Sequence, residues 1–412
     1  MQYFIPDWED RIDPNFNFDS DFKWIRNSDS YTGRVYAHEI FKKPPYDGIL
    51  ISLGLLNKFR PSNNDAQPSI RGFTDIKQYL RINSNNPLKV MGDCGAFSYV
   101  NQDIVPFSVT QVADLYDSLN FDLGISLDHL VVKSIVNENG KKIDLSESQQ
   151  ETRRQLSLEN AKAFLNYCRA KRYSFVPIGA AQGLSTRTYI DSVDKLIEMN
   201  YNYIALGGLI RYTTAQVDEI VTAIMEDVVS RKHPPIKVHL LGVLRPQLLR
   251  KFRRFGITSF DSASYLRKAW LRSSMNYFGP DEKWYSAIRV PYSWNSNIRA
   301  SAKEHGISLD KLQRLERDAM TALKGFAKSN EDLVSALDAV LEYDTLLFRA
   351  SEKTDLKERY KQTLQSRIWE RCSCEICTDA GIDVLIFRGA NRNKRRGFHN
   401  VKIFHNLILN QN

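Results

Sequence analysis

From about residue 45 to residue 290 the chain alternates short apolar runs with amphipathic stretches. The runs are GILISLG (48–54), LKVMGD (88–93), FDLGISLD (121–128), SFVPIGAA (174–181), NYIALGG (202–208), KVHLLGV (237–243) and GITSFD (256–261). Between them, stretches such as SVTQVADLYDSL and STRTYIDSVDKLIEMN repeat apolar positions every three or four residues, the helical period. Strands of a parallel sheet are buried on both faces and read as near-continuous apolar runs, so the alternation predicts β–α crossover units. Seven such runs fit an α/β fold of the (β/α)8 barrel type better than a doubly wound sheet. The eighth strand is expected in WYSAIRVPY (284–292) or upstream.

The run ends carry the candidate chemistry. They finish on small or functional residues: Asp93, Asp128, Gln182, Gly207, Gly242 and Asp261. In such barrels the loops after the C-terminal strand ends converge on the active site. Taken alone, Asp93 in MGDCGAFSYV is either a carboxylate in a turn or the acid/base of a pocket floored by Phe97. Asp261 reads equally as a functional acid or as a helix N-cap following a strand. Asp122, earlier in its run, is expected at a strand start, and His129 has no evident role.

Past residue 293 the pattern turns helical and charge-rich, continuing through KTDLKERYKQTLQSRIW to a cysteine cluster. The expected organisation is a barrel with an N-terminal extension (1–292), a helical segment (293–365) and a basic, metal-binding C-terminal subdomain (366–412).

Composition narrows the class. At 412 residues, 42% hydrophobic and 25% charged, the chain can bury a large core. No window approaches a membrane span, and MQYFIPDWEDR is acidic where a signal peptide is basic and apolar, so a cytoplasmic location is expected. The net charge of +9 is concentrated: 245–256 carries five Lys/Arg and 388–405 carries six, neither with an acid. Such runs are commonly solvated faces, but two beside chemical motifs favour a phosphate-binding surface.

Three of the five cysteines, Cys372, Cys374 and Cys377, lie in CSCEIC. Thiols this close cannot all pair with one another, and their spacing suits a tetrahedral Zn2+ that needs one further ligand. His399 is preferred because Asn400 and the basic turn before it read as a fixed element; His405 is the alternative. With four protein ligands the zinc would be structural. Cys94 and Cys168 are not expected as ligands.

Together these motifs resemble the tRNA-guanine transglycosylases. They are more similar still to the DpdA-type 7-deazaguanine DNA transglycosylases of phages and bacterial genomic islands. GDCGAF resembles the family's aspartate-serine-glycine-glycine-aromatic motif, and SFDSASYLR its phenylalanine-aspartate-cysteine motif with Arg267 six residues after the aspartate. AAQG, LGGL and LLGV follow the order of its base-contacting motifs, and the Cys-x-Cys-x-x-Cys…His spacing closes the series. Ala96, Ser98 and the Tyr265-Leu266-Arg267 ending depart from the tRNA enzymes, as does the helical stretch at 293–350, which points to the DNA branch.

The resemblance implies a pentosyltransferase that exchanges guanine for a 7-deazaguanine, the 7-cyano form or a relative. Asp261 is the expected nucleophile and Asp93 the acid/base. Asp128 would accept from the base's N1 and N2 donors, with Gln182 and the Gly208 N–H completing the edge contacts and Gly207 and Gly242 shaping the pocket backbone. Phe97 and Leu241 would sandwich the ring, with ordinary core packing as the plain alternative for both. Arg267 would hold phosphate or sugar, and Arg253, Arg254, Lys394, Arg395 and Arg396 would contact phosphates. A guanine inside a duplex must be flipped out or presented unpaired. The rival readings are a tRNA-guanine transglycosylase of unusual sequence and a non-catalytic nucleic-acid-binding subunit.

Overall fold

In the computed structural model all seven apolar runs become strands. With the N-terminal segment they close a parallel eight-stranded barrel. The structure describes residues 1–20, 33–53, 73–85, 88–231, 235–271, 274–344 and 353–410. Gly54 and residues 345–352 of the expected helical segment lie outside the described residues. The strands are β1 (Gln2–Pro6), β2 (Gly48–Ser52), β3 (Lys89–Asp93), β4 (Leu123–Ile125), β5 (Val176–Ala181), β6 (Tyr203–Leu206), β7 (Lys237–Leu240) and β8 (Ser259–Asp261). Each pairs with the next, and β1 pairs with both β8 (Phe4 opposite Asp261) and β2 (Phe4 opposite Gly48).

The eighth strand is therefore the upstream segment. Trp284–Tyr285 instead makes an antiparallel pair with Tyr277–Phe278, and Ile288–Arg289 pairs in parallel with Ile386–Phe387. The amphipathic stretches form the helices Val109–Ser118 and Thr186–Glu198, each opened by a serine N-cap, Ser108 and Ser185. These caps satisfy N–H groups that a helix start leaves unpaired. The barrel lumen is a packed core of Phe4, Leu50, Met91, Leu123, Ile125, Ile178, Ala180, Tyr203 and Ala205, with Leu241 against it. Polar strand-end residues sit above that plug.

The division into units differs from the expected one. One compact unit comprises Met1–Trp8 and Tyr46–Ala263; the other comprises Glu9–Pro45 and Ser264–Asn412. Residues 264–292 belong to the second unit, where their backbone is hydrogen-bonded by Asn400. Asn400 Oδ1 accepts from the Phe278 N–H, and its amide donates to the Tyr265 and Asn276 carbonyls. The helical segment and the cysteine segment likewise join: Arg388 pairs with buried Glu316 on the helix Leu309–Ala327 at 2.5 Å. Among the described residues no helix is long and apolar enough to cross a membrane.

The basic turn expected before His399 is part of a 22-residue helix, Gly389–Asn410. Its cations are internal braces. Arg392, Arg396 and Asn400 recur every four residues on one inward face and are fully buried. Arg396 donates to the Ala269, Val384 and Ile386 carbonyls, and Arg395, also buried, donates to Asp379 and to the Asp13 carbonyl. A guanidinium tolerates burial when its donors are matched this way. Arg395 and Arg396 are thus not phosphate contacts, and Lys394 is ion-paired with Asp10 at 3.1 Å.

Candidate active site

Three strand-end carboxylates meet at one end of the barrel. Asp93 closes β3, Asp128 follows β4 and Asp261 closes β8. Asp93 is partly buried and accepts from the Gly95 N–H at 3.2 Å and from the Ser52 hydroxyl. Desolvation first, then the charges of Asp128 and Asp261, push its carboxyl up to about 7. Two neighbouring acids acting on a third in a poorly hydrated site is how a carboxylic acid is kept protonatable at neutral pH. Gly95, with φ of +79°, provides the left-handed turn that starts the 3-10 segment Ala96–Tyr99. That turn leaves the Phe97 ring 64% exposed, so it is not core.

Asp128 is buried, and burial raises its pKa. Its two oxygens accept from the Cys94 thiol at 2.9 Å and the Gln182 amide at 2.5 Å. The Tyr99 hydroxyl reaches both the Cys94 sulfur (3.0 Å) and the Asp128 carbonyl (2.9 Å). A carboxylate offers about four lone-pair sites, so roughly two remain for a further ligand. Burial drives the Cys94 thiol well above its usual range, making it a hydrogen-bonding strut and not a nucleophile.

Gln182 is the reason for Gly207. A Cβ at 207 would lie 2.2 Å from the Gln182 amide nitrogen, so the glycine makes room for that side chain and not only for a ligand. Gly208 holds φ of +73° beside the Gln182 amide oxygen, which is buried without a hydrogen-bond partner among the described residues. Leu241 is partly buried against the lumen core, and the Gly242 N–H donates to Asp261 at 2.8 Å.

Asp261 carries a network absent from the sequence reading. Its Oδ1 also faces His239 Nε2 at 3.2 Å; His239 Nδ1 faces Ser259 Oγ at 2.7 Å; Ser259 Oγ faces the Tyr203 hydroxyl at 2.6 Å. Neighbouring strands set this up, since His239 is in register with Ser259 on β8 and with Ala205 on β6. The signal was one polar residue inside the apolar run KVHLLGV.

The remaining candidates lie elsewhere. Arg253 and Arg254 end the helix Leu249–Arg254, which leads back to the start of β8. This topology puts them toward the end of the barrel opposite the carboxylates. Arg267 belongs to the second unit. Asp122 is structural, pairing with Lys77 at 2.6 Å and accepting from the Val90 N–H at 2.8 Å, and His129 braces the Gln102 carbonyl.

In the second unit, Cys372, Cys374, Cys377 and His399 bring their ligand atoms within 4.8 Å of one another. His399 Nδ1 stands 3.6, 3.4 and 3.2 Å from the three sulfurs. Ligands about 2.3 Å (S) and about 2.0 Å (N) from a tetrahedral ion would be roughly 3.5 Å apart, so the donor set fits a metal of zinc type. His399 Nε2 donates to the Phe278 carbonyl at 2.9 Å, which fixes the tautomer that turns Nδ1 toward the thiols. His405, Cys94 and Cys168 are not in the cluster.

The raised Asp93 pKa has a stability consequence. Asp93 holds its proton up to about pH 7 when folded but only to about 3.8 in its unperturbed state, so stability falls as pH rises between those values. Asp93→Asn, which cannot ionise, is expected to melt higher than the unsubstituted protein at pH 8, with the gap narrowing toward pH 4. An equal difference at both pH values would remove carboxylate crowding as its cause.

The sequence model of the family described as queuine tRNA-ribosyltransferase matches residues 94–408. The chain is also 35% identical, over 416 aligned residues, to a protein of Salmonella montevideo called DNA-guanine transglycosylase; the match spans 99% of this chain and 96% of the relative. The chain belongs to the queuine tRNA-ribosyltransferase family, the tRNA-guanine transglycosylases, and is a pentosyltransferase of their DpdA-type branch.

Proposed function

We propose that the protein exchanges guanine in DNA for a 7-deazaguanine base, the 7-cyano form or a relative, through a covalent aspartyl–sugar intermediate. The observation that carries this reading is the coupled trio of strand-end carboxylates, with Asp93 at about 7. Asp261 attacks C1′ of the flipped nucleotide, the C1′–N9 bond breaks, and protonated Asp93 supplies the proton that the departing guanine needs. The incoming base then gives its N9 proton to Asp93 and displaces Asp261, so configuration is retained. Two acids with different environments take the two roles.

Base recognition follows from free valences. The remaining lone pairs of Asp128 suit the N1–H and N2–H donors shared by guanine and its 7-deaza analogues. The unpartnered Gln182 oxygen is an acceptor that a further base N–H would satisfy, with the Gly208 N–H available to the 7-substituent or O6. Phe97 offers an exposed ring and Leu241 an apolar wall for stacking. Arg267 is assigned to a phosphate of the nucleic acid, while Arg253 and Arg254, at the far end of the barrel, have no part in holding the flipped nucleotide. Salt should weaken binding accordingly.

Cys372, Cys374, Cys377 and His399 would hold one structural zinc, which ties the CSCEIC segment to the long C-terminal helix and takes no part in the chemistry. Three thiolates kept for metal suit a reducing, cytoplasmic setting. DNA is favoured by the name of the Salmonella montevideo relative, while the family description keeps tRNA as the second reading. The test incubates the protein with duplex DNA, single-stranded DNA or tRNA and several 7-deazaguanines, then analyses nucleosides by mass spectrometry. A 7-deaza-2′-deoxyguanosine is expected. A modified ribonucleoside in tRNA alone would select the second reading, and no base exchange in any arm would select a non-catalytic subunit.

A further inference from the structure

We propose that His239 is a positioning residue for Asp261, itself held in the required tautomer by Ser259 and Tyr203. The inference rests on the reading of Asp261 as the nucleophile. His239 is fully buried in the barrel, at a lumen position where an aliphatic side chain would complete the surrounding apolar plug. A polar residue there calls for a reason, and its hydrogen bonds provide one.

Donor counting fixes the direction of the chain. An ionised Asp261 only accepts, so His239 Nε2 carries the proton across the 3.2 Å contact. With Nε2 as the donor to Asp261, Nδ1 is the acceptor for the Ser259 hydroxyl, and Ser259 accepts in turn from the Tyr203 hydroxyl. Every donor has one acceptor, and the chain ends on the carboxylate. Both donors to Asp261, His239 Nε2–H and the Gly242 N–H, fall on Oδ1. Among the described residues nothing donates to Oδ2, which keeps its lone pairs for C1′. In the proposed step that pair forms the C1′–Oδ2 bond, the C1′–N9 electrons leave with guanine, and the proton from Asp93 neutralises the departing base.

The hydrogen bond also has a directional effect on the intermediate. A charge-assisted bond to a carboxylate is roughly twice as strong as one to a neutral ester oxygen. His239 therefore stabilises free Asp261 more than the glycosyl ester, and so favours release of the covalent intermediate. Removing it should slow exchange while raising the fraction of protein held as adduct. A side chain that only filled the lumen would give no such opposed pair of effects.

The test follows incorporation of isotope-labelled guanine into a guanine-containing DNA duplex or tRNA, whichever the wild-type protein labels. Adduct is measured in parallel by denaturing electrophoresis. His239→Ala is expected to lower kcat by about 10- to 100-fold, with the guanine KM within about threefold, and to raise the adduct fraction. His239→Gln, which can return an N–H to Oδ1, should recover part of the loss. Ser259→Ala, milder for folding, should lose about tenfold by freeing the wrong tautomer. Wild-type kcat in both His239→Ala and Ser259→Ala, or loss of kcat with no rise in adduct in either, overturns the proposal. Asp261→Ala separates the two claims: exchange surviving there ends the nucleophile reading itself, whereas an inactive Asp261→Ala beside fully active His239→Ala ends only the role of His239.

Discussion

Asp261→Ala is expected to abolish base exchange, lowering turnover by about 10⁴-fold or more, while fold and metal content stay intact. The side chain is buried at the end of β8, and its loss leaves His239 Nε2–H and the Gly242 N–H without their acceptor. Each orphaned donor costs about 1–3 kcal/mol, partly offset because one of three crowded carboxylates has gone. The base should still bind, since Asp128 and Gln182 are held by Cys94, Tyr99 and each other and do not depend on Asp261. Asp261→Asn sharpens the comparison: an amide can keep an oxygen facing the two donors yet cannot form the ester. Both variants should therefore bind a 7-deazaguanine within a few-fold of wild type and turn over nothing. Near-wild-type exchange in either would take Asp261 out of the mechanism.

Cys374→Ser should cost the protein its metal, from about one zinc per chain to almost none, and destabilise the second unit severely. Serine is not ionised at neutral pH and cannot replace a thiolate ligand. The cluster joins residues 372–377 to His399 on the helix Gly389–Asn410, whose buried arginines brace the same unit. Structural zinc contributes about 10–16 kcal/mol to small zinc-finger peptides. A unit with its own apolar core should lose less than that, but still a melting transition's worth of order. His405→Ala is the control, expected to keep its zinc because the metal cluster contains His399 and not His405. Metal analysis by mass spectrometry reads both; unchanged zinc in Cys374→Ser would dispose of the assignment.

Seven barrel strands were legible because a parallel strand buried on both faces has to be apolar throughout, and the interruptions between runs carry helical periodicity. The first strand, Gln2–Pro6, escaped a definite assignment because five residues give too little pattern to separate from a short apolar terminus. The carboxylates were legible from their place at strand ends, and the three cysteines from local spacing, whereas His399 stood beside His405 as one of two candidates for the fourth ligand. What was not legible depends on partners distant in sequence. Arg396 reads as surface charge until the carbonyl of Ala269, 127 residues earlier, is seen to accept its hydrogen bonds. The same holds for the unit boundary at 263/264, beyond which Asn400 hydrogen-bonds the backbone of Tyr265 and Phe278. His239 was visible as a letter but not as a function, because its meaning lies in Ser259 and Asp261 on the neighbouring strand.

In the proposed exchange a sugar is carried on Asp261 between the departure of one base and the arrival of the next. The most direct measurement of that step is peptide mass spectrometry of the protein quenched by denaturation during reaction with a guanine-containing nucleic acid and no added 7-deazaguanine. After nuclease digestion, a base-free sugar-phosphate mass addition is expected on the peptide bearing Asp261, absent in Asp261→Asn and discharged when the acceptor base is supplied. An active protein whose adduct maps to Asp93 or Asp128, or that exchanges bases without any adduct, would contradict it.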